Sequence, residues 1–315
     1  MSEISVIQQE HARDSRSEKL AGQQSVADWP RITLVTPVLN AVPYFEQTLR
    51  SVVFQDYPNL EYIVIDGGSD DGTIDIIRKY DRYLTRWVSE NDNGMYDALN
   101  KGFSQSSGEI MGWISGTDML HPRSLFVLGS VFRKFPDVRW ITGIPTWFNE
   151  EGMTIAAGKL PHWSRIRFLA GANRYIQQES TFWRRNLWEQ AGGYIDASRR
   201  IASDFELWVR FFRYAPLYTV SALIGGFRSH SSSLGLQVLE KCHRVHDEII
   251  EAELKTLKRG GLLGIFRSIS SGILRVPKFR FLWRSLVLRP LYELPGPDWT
   301  AMINYRDGQG WVLAK

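Results

Sequence analysis

Short runs rich in β-branched and aromatic residues recur from Arg31 onward: ITLVTPVLN, LEYIVIDGG, LTRWVSE, EIMGWISG and VRWITGI. Between them lie stretches of helical spacing that begin near Pro43, Thr73, Met95 and Pro122. Strands alternating with helices predict βαβ units, and so a mostly parallel sheet flanked by helices. Pro43 and Pro122 each suit a first helical position, where the missing N–H has no partner to lose. Beyond about residue 150 the alternation weakens, and Trp147, Phe148, Trp163, Phe168, Phe182, Trp183, Trp188 and Trp208 crowd the chain. Such a half is a sensible place for a second substrate, although most of these rings individually suit a core.

Both ends depart from this pattern. Residues 1–29 combine Gln8, Gln9, Gln23 and Gln24 with many serines and mixed charge, which predicts a disordered tail. Residues 236–258 return to helical spacing, and residues 255–289 hold nine Lys or Arg and no acidic residue. Leu263, Phe266, Phe281, Trp283 and Leu286 are interleaved with those charges. Two readings of this basic helical extension stand: binding to an anionic membrane surface, or packing of the apolar residues onto the preceding domain.

The 315 residues suffice for one large domain or two modest ones, and 43% hydrophobic with 23% charged residues excludes a disordered or fibrous chain. The single cysteine, Cys242, has no internal partner for a disulfide. No stretch approaches the ~20 apolar residues of a membrane-spanning helix, and no secretion signal is legible. A cytoplasmic protein, peripheral on the inner face of the membrane if the extension binds lipid, is therefore expected. The net charge of +4 is concentrated in the extension. Nucleic acid would explain that segment and none of the acidic positions elsewhere, so no nucleic-acid partner is expected.

Those acidic positions follow the strands, where open α/β sheets bind their ligands. The first strand ends in Thr36, Pro37 and Asn40, the second in Asp66-Gly-Gly-Ser-Asp-Asp-Gly-Thr73, the third in Ser89 to Asp92, and the fourth in Ser115-Gly-Thr-Asp118. Converging carboxylates repel one another unless a cation or hydrogen-bond donors lie between them. A divalent metal bridging a ligand's phosphates meets that need. There is no G-x-x-x-x-G-K-[ST] loop and no G-x-G-x-x-G after the first strand, which removes the main support for P-loop hydrolysis and dinucleotide redox chemistry. Asp66 suits a hydrogen bond from a base N–H or a ribose hydroxyl; a plain Asp/Gly turn leading into a helix is the alternative.

TPVLN, VIDGGSDDGT, SENDNGMYDALNKG, GEIMGWISGTD, QQESTFWRR and SDFELWVR, spread over residues 31–235, resemble in order and spacing the family 2 nucleotide-sugar glycosyltransferases. The resemblance implies a single α/β domain of the GT-A type over residues 30–235, with a nucleotide-sugar half (30–145) and an acceptor half (146–235), followed by the helical basic extension, 236–315. It implies an inverting hexosyl or N-acetylhexosaminyl transfer from a nucleoside diphosphate sugar to a hydroxyl of a glycan or lipid-linked glycan. Polysaccharide or glycolipid synthesis would be the setting.

Carried over residue by residue, it assigns Thr36, Pro37, Asn40, Asp66 and Asp71 to the nucleotide pocket. Asp97 and Asn100, three apart on one helix face, fall to the sugar and diphosphate wall. Gln178, Glu179 and Ser180 fall near the acceptor, where amides and hydroxyls suit sugar recognition. Asp204 matches the general base; a helix cap is the competing role. Where many relatives carry several metal-motif carboxylates this chain reads Ser115-Gly116-Thr117-Asp118. Asp118, with His230, is then left to hold a divalent cation, Mn or Mg. Cys242, His243, His246, Asp247 and Glu248 lack a second ligand cluster and read as a solvated helix face. Two other functions compete. A sugar-nucleotide nucleotidyltransferase should show a Gly-rich basic loop where this chain has TPVLNAVPYF. A sugar-nucleotide or glycan binding protein would have weakened catalysis together with its metal motif.

Overall fold

The computed structural model describes residues 28–169, 175–230, 239–256 and 300–314. The first half runs β1 (Ile32–Val38), α1 (Val42–Val53), β2 (Leu60–Asp66), α2 (Thr73–Tyr80), β3 (Arg86–Ser89), α3 (Met95–Ser104), β4 (Ile110–Trp113), β5 (Met119–Leu120), α4 (Ser124–Lys134) and β6 (Trp140–Thr142). The second half runs β7 (Thr146–Phe148), β8 (Thr154–Ala157), α5 (Arg165–Leu169), β9 (Thr181–Arg184), α6 (Arg185–Gln190), α7 (Ser203–Phe211), β10 (Tyr218–Val220), β11 (Gly225–Arg228), α8 (Leu239–Thr256), β12 (Met302–Arg306) and β13 (Gly310–Ala314).

Nine strands form the main sheet in the order β13-β12-β10-β6-β9-β4-β1-β2-β3, and β5-β11-β7-β8 form a smaller one. β1, with no exposed residue, pairs in parallel with β2 and β4, which explains its nearly unbroken apolar run. Its side chains alternate between two cores. Val35 joins Ile63, Ile65, Trp113 and Trp208 on one face, while Leu34 joins Tyr62, Val64, Phe45 and Leu128 on the other. The expected βαβ alternation is thus present, interrupted by β9, which runs antiparallel between β4 and β6.

The aromatic crowd is mainly core. Trp208 stacks between Trp113 and Trp140, each at a ring-centroid separation of 5.7 Å, and Trp163, Phe168, Phe182, Trp183 and Trp188 are buried. Trp147 alone of the eight rings is exposed. Pro43 lies in the first turn of α1 as expected. Pro122 precedes α4 in a turn, and the helix starts after Arg123, which adopts φ +64°.

Both termini correct the sequence reading. Trp29 packs edge-on against Tyr57 and Phe126, so the expected tail ends before it; residues 1–27 lie outside the described residues. Leu239–Thr256 is helical as expected, but Met302–Ala314 is an antiparallel hairpin that extends the main sheet through β10. Its period-two pattern explains the difference: Ile303 is buried, and Tyr305 meets Trp311 across the strands. Asp307-Gly308 supplies the turn, with Gly308 at φ +76°. The basic amphipathic stretch beyond Thr256 lies outside the described residues.

Candidate active site

The parallel register places Val38, Asp66 and Ser89 in one row at the carboxyl edge of the sheet. Asp66 is fully buried there. Its Oδ2 accepts the N–H groups of Gly68 and Ser69 at 3.1 and 3.0 Å and the Ser89 hydroxyl at 2.6 Å, while Oδ1 accepts the Ser69 hydroxyl at 2.5 Å. Three donors crowd Oδ2, while Oδ1 keeps one lone pair beside the Ser69 hydroxyl. In this structure Asp66, expected to meet a base or ribose, organises the loop after β2. Gly68, at φ +86°, lies where an added Cβ would strike the Asn91 side chain, so the loop requires glycine there.

The neighbouring residues lace the loops together. Asn40, at φ +48°, accepts the Asp70 N–H at 3.0 Å and donates its own N–H to the Ser69 hydroxyl at 2.8 Å. Asp71 accepts the N–H of Val42 at 3.1 Å and both the N–H and hydroxyl of Thr73. Burial is the largest single influence and raises the Asp71 pKa, but these donors together outweigh it and hold the carboxyl below its usual range. Asn40 and Asp71 remain exposed at the strand ends. Thr36 and Pro37 do not: Thr36 is buried with its hydroxyl 3.0 Å from the Tyr62 hydroxyl, and Pro37 is buried inside β1. Their expected ligand contacts are corrected, since β1 is covered on both faces.

On α3 the two expected wall residues part company. Asp97 is partly exposed; the Asn93 N–H at 3.0 Å, aided by Lys101, holds its pKa down. Asn100 instead grips the backbone of Ile195 in both directions, donating at 2.7 Å and accepting at 2.8 Å. It fastens α3 to the segment before α7, keeping one N–H and one lone pair of the amide unused by that contact.

Three further acids lie in less satisfied surroundings. Asp118 is 3% exposed and accepts the Arg228 N–H at 2.8 Å through Oδ1. Burial pushes its pKa up to about 7 against the opposing effect of Arg228. The Arg228 side chain fixes this corner by donating to Thr117 O, Gln47 Oε1 and Glu150 O while lying over the Tyr44 ring. Glu179, in the 3-10 turn Gln178–Ser180, is 3% exposed, and its Oε1 has no hydrogen-bond partner among the described residues. Burial, then the negative charges of Asp118 and Asp204, drive its pKa well up. Its carbonyl lies where an added Cβ on Gly225 would fall, so glycine lets β11 approach the turn.

Asp204 opens α7 and keeps partial exposure. Burial raises its pKa, opposed by the N–H groups of Phe205 and Asp204 itself and by the Tyr96 hydroxyl, which donates to Oδ1 at 3.4 Å. Ala202, just before it, adopts φ +63°, a conformation that costs an alanine roughly 1 kcal/mol. Of the expected acceptor contacts, Gln178 is partly exposed, but Ser180 is buried and spends its hydroxyl on the Gly225 carbonyl at 2.5 Å. Ser180 therefore holds the turn against β11, correcting its assignment to the acceptor.

Among the described residues no three His, Cys, Asp or Glu side chains converge in a way that could hold a metal ion. His230 packs on Tyr44 with ring centroids 4.8 Å apart, and burial lowers its pKa. One carboxylate and one imidazole fit a divalent cation only as a two-point anchor, with diphosphate oxygens and water completing the shell. The Cys242 to Glu248 stretch is no metal cluster, nor is it wholly solvated: His246 is buried and stacks on Phe205 at 4.0 Å. Tyr96 and Arg228 escaped the sequence reading because their importance depends on contacts with residues more than a hundred positions away.

A mostly parallel α/β sheet with polar loops at its carboxyl edge and an antiparallel strand beside its centre is the GT-A architecture. The Glycosyl transferase family 2 profile matches residues 33–134, the stretch from β1 through α4. An uncharacterized glycosyltransferase of Mycobacterium tuberculosis strain H37Rv is 29% identical over 185 residues, 58% of this chain and 68% of that protein. Bacillus subtilis TuaG, named a putative teichuronic acid biosynthesis glycosyltransferase, is 33% identical over 98 residues, 30% of this chain and 38% of TuaG. In fold, the chain is similar to Staphylococcus aureus TarS residues 1–349 in complex with UDP-GlcNAc. The TM-score is 0.60 at 16% identity, over 83% of this chain and 78% of that one. The mannosyltransferase PcManGT of Pyrobaculum calidifontis, in complex with GDP-Man and Mn2+, aligns with a TM-score of 0.51 at 16% identity, over 82% and 84% of the two chains.

Proposed function

We propose that the enzyme transfers a hexosyl or N-acetylhexosaminyl group with inversion, from a nucleoside diphosphate sugar to a hydroxyl of a glycan or lipid-linked glycan. Polysaccharide or glycolipid synthesis is the setting this suits. The observation that carries the reading is Asp204: a partly exposed carboxyl with a raised pKa, held at the start of α7, whose charge is felt by Glu179 together with that of Asp118. Inversion requires a base on the acceptor side and charge stabilisation on the opposite, leaving-group side. In this reading Asp204 takes the proton of the acceptor hydroxyl as its oxygen bonds to the anomeric carbon. The bond to the diphosphate breaks as that bond forms.

A divalent cation, Mn or Mg, anchored by Asp118 and His230 would neutralise the departing diphosphate. Asn40, Asp71 and Asp97 remain at the donor mouth, with Asp66 shaping it from behind. Gln178 and Glu179 stand on the acceptor side. Fold relatives in complex with UDP-GlcNAc and GDP-Man support a nucleoside diphosphate sugar donor, and the similarity to TuaG, a putative teichuronic acid biosynthesis glycosyltransferase, supports polysaccharide synthesis. The domain division follows the same logic, with the donor half at 30–145 and the acceptor half at 146–235. The basic stretch 255–289 is proposed to hold the enzyme peripherally on an anionic inner membrane face. No helix among the described residues is long and apolar enough to cross a membrane.

Asp204→Asn tests the assignment. The variant should still be stabilised by the donor that stabilises the wild type, with UDP-GlcNAc and GDP-mannose as probes, yet lose about 10²–10⁴-fold in transfer. Near wild-type turnover, or unfolding without ligand, would return Asp204 to the role of a helix cap.

A further inference from the structure

We infer that Tyr96 is a positioning residue for the Asp204 carboxylate, its hydroxyl holding Oδ1 so that Oδ2 is presented to the acceptor. The inference rests on the proposed base role of Asp204. Tyr96 is 7% exposed in the first turn of α3, and its hydroxyl stands between two atoms at the start of α7. It accepts the Ser203 N–H at 3.3 Å and lies 3.4 Å from Asp204 Oδ1. A phenol has one proton. With the backbone N–H directed at its lone pair, that proton is turned toward the carboxylate. Tyr96 keeps the proton throughout transfer, because burial and then the Asp204 charge drive the phenol pKa well up.

The surroundings make this contact a fixed one. One turn further along α3, Asn100 grips the Ile195 backbone, and Ser203 Oγ donates to Asp196 O at 2.7 Å. The donor-side helix and the segment leading into α7 are therefore locked at two points beside the Tyr96 hydroxyl. The titratable groups facing Asp204 are Tyr96 from α3, Glu179 from the 3-10 turn and Cys242 from α8. Glu179 and Cys242 both have pKa values raised first by burial and then by negative neighbours, among them Asp204. Among the described residues, Tyr96 is the side chain with a hydrogen bond to Asp204 that favours its charged form.

The full-length Tyr96→Phe variant tests this, because it deletes one oxygen and keeps the ring. Removing a donor to the charged carboxylate must raise the Asp204 pKa. The acidic limb of the kcat profile should move up by about one pH unit, so that kcat falls about tenfold on that limb and keeps its plateau above it, with the donor KM unchanged. UDP-GlcNAc and GDP-mannose are the donors to assay. A second readout needs no turnover: carboxyl carbon NMR, with Asp204→Asn assigning the signal, should show the same rise in the Tyr96→Phe protein. Replacing Tyr96 by 3-fluorotyrosine, a stronger donor that preserves the ring, should move the titration the other way. An Asp204 titration unmoved in both proteins would overturn the inference, as would a loss of kcat that is the same at every pH. If the titration moves while Asp204→Asn turns over like wild type, the hydrogen bond stands and the base assignment of Asp204 is what fails.

Discussion

Two groups of carboxylates, Asp66, Asp71 and Asp97 on the one hand and Asp118, Glu179 and Asp204 on the other, differ in what surrounds them. Asp66, Asp71 and Asp97 receive backbone N–H groups, hydroxyls and a lysine, with hydrogen bonds holding the pKa of Asp71 and Asp97 low. At Asp118, Glu179 and Asp204 the donors do not offset burial, which holds all three high. Satisfied carboxylates build loops; unsatisfied ones are kept for a ligand or a proton. A clustering of acids at strand ends therefore identifies the edge of the sheet that matters, while the solvation of each acid tells which of them can act.

That contrast can be broken most severely at Asp66. Exchanging one oxygen for an NH2 group in Asp66→Asn turns an acceptor against donors that have no alternative partner. The variant should lose about 2–3 kcal/mol of unfolding free energy in urea, together with donor-induced thermal stabilisation. A loss below about 0.5 kcal/mol would show that Asp66 is not the hub of its loop.

Glu179 sharpens the comparison through pH. Its pKa is raised above the ordinary 4.5 in the folded protein, so above that pH the unfolded chain releases a proton that the folded one retains. Folding stability should then fall as pH rises from about 5 to 8, and Glu179→Gln should flatten the fall and gain about 1 kcal/mol at the upper end. Urea midpoints at both ends of that range decide it; parallel pH profiles for the two proteins would mean that Glu179 is charged in the native state. The smallest effect belongs to the strained residue before Asp204. Ala202→Gly relieves the left-handed backbone but adds freedom to the unfolded chain, for a net gain of about 0.5 kcal/mol in stability. A clear loss in melting temperature would show that the Ala202 methyl group packs in a way that outweighs its strain.

How much was readable in advance differs by level. The alternation of apolar runs and helical stretches was enough for the sheet, because β1 and β2 are buried on both faces and must be apolar throughout. The hairpin at residues 302–314 was missed beneath the stronger basic signal before it, although its Asp-Gly turn and period-two residues were present. Asp118, Glu179 and Asp204 were selected from sequence by their place in motifs, and the structure gives each of them an unusual environment. Thr36 and Ser180 were selected in the same way, but both are buried, with their hydroxyls paired to Tyr62 and Gly225.

The chain by itself determined where strands and helices fall and which strand ends gather polar groups, because periodicity and turn chemistry are local properties. Only the tertiary structure decided how those groups are spent. Whether a carboxylate is matched or stranded depends on donors brought from distant positions, as Arg228 is to Asp118 and Tyr96 to Asp204. Hydrogen-bond satisfaction and desolvation exist only once the chain has closed around the group, and they separate an acid that holds a loop from one that can take a proton.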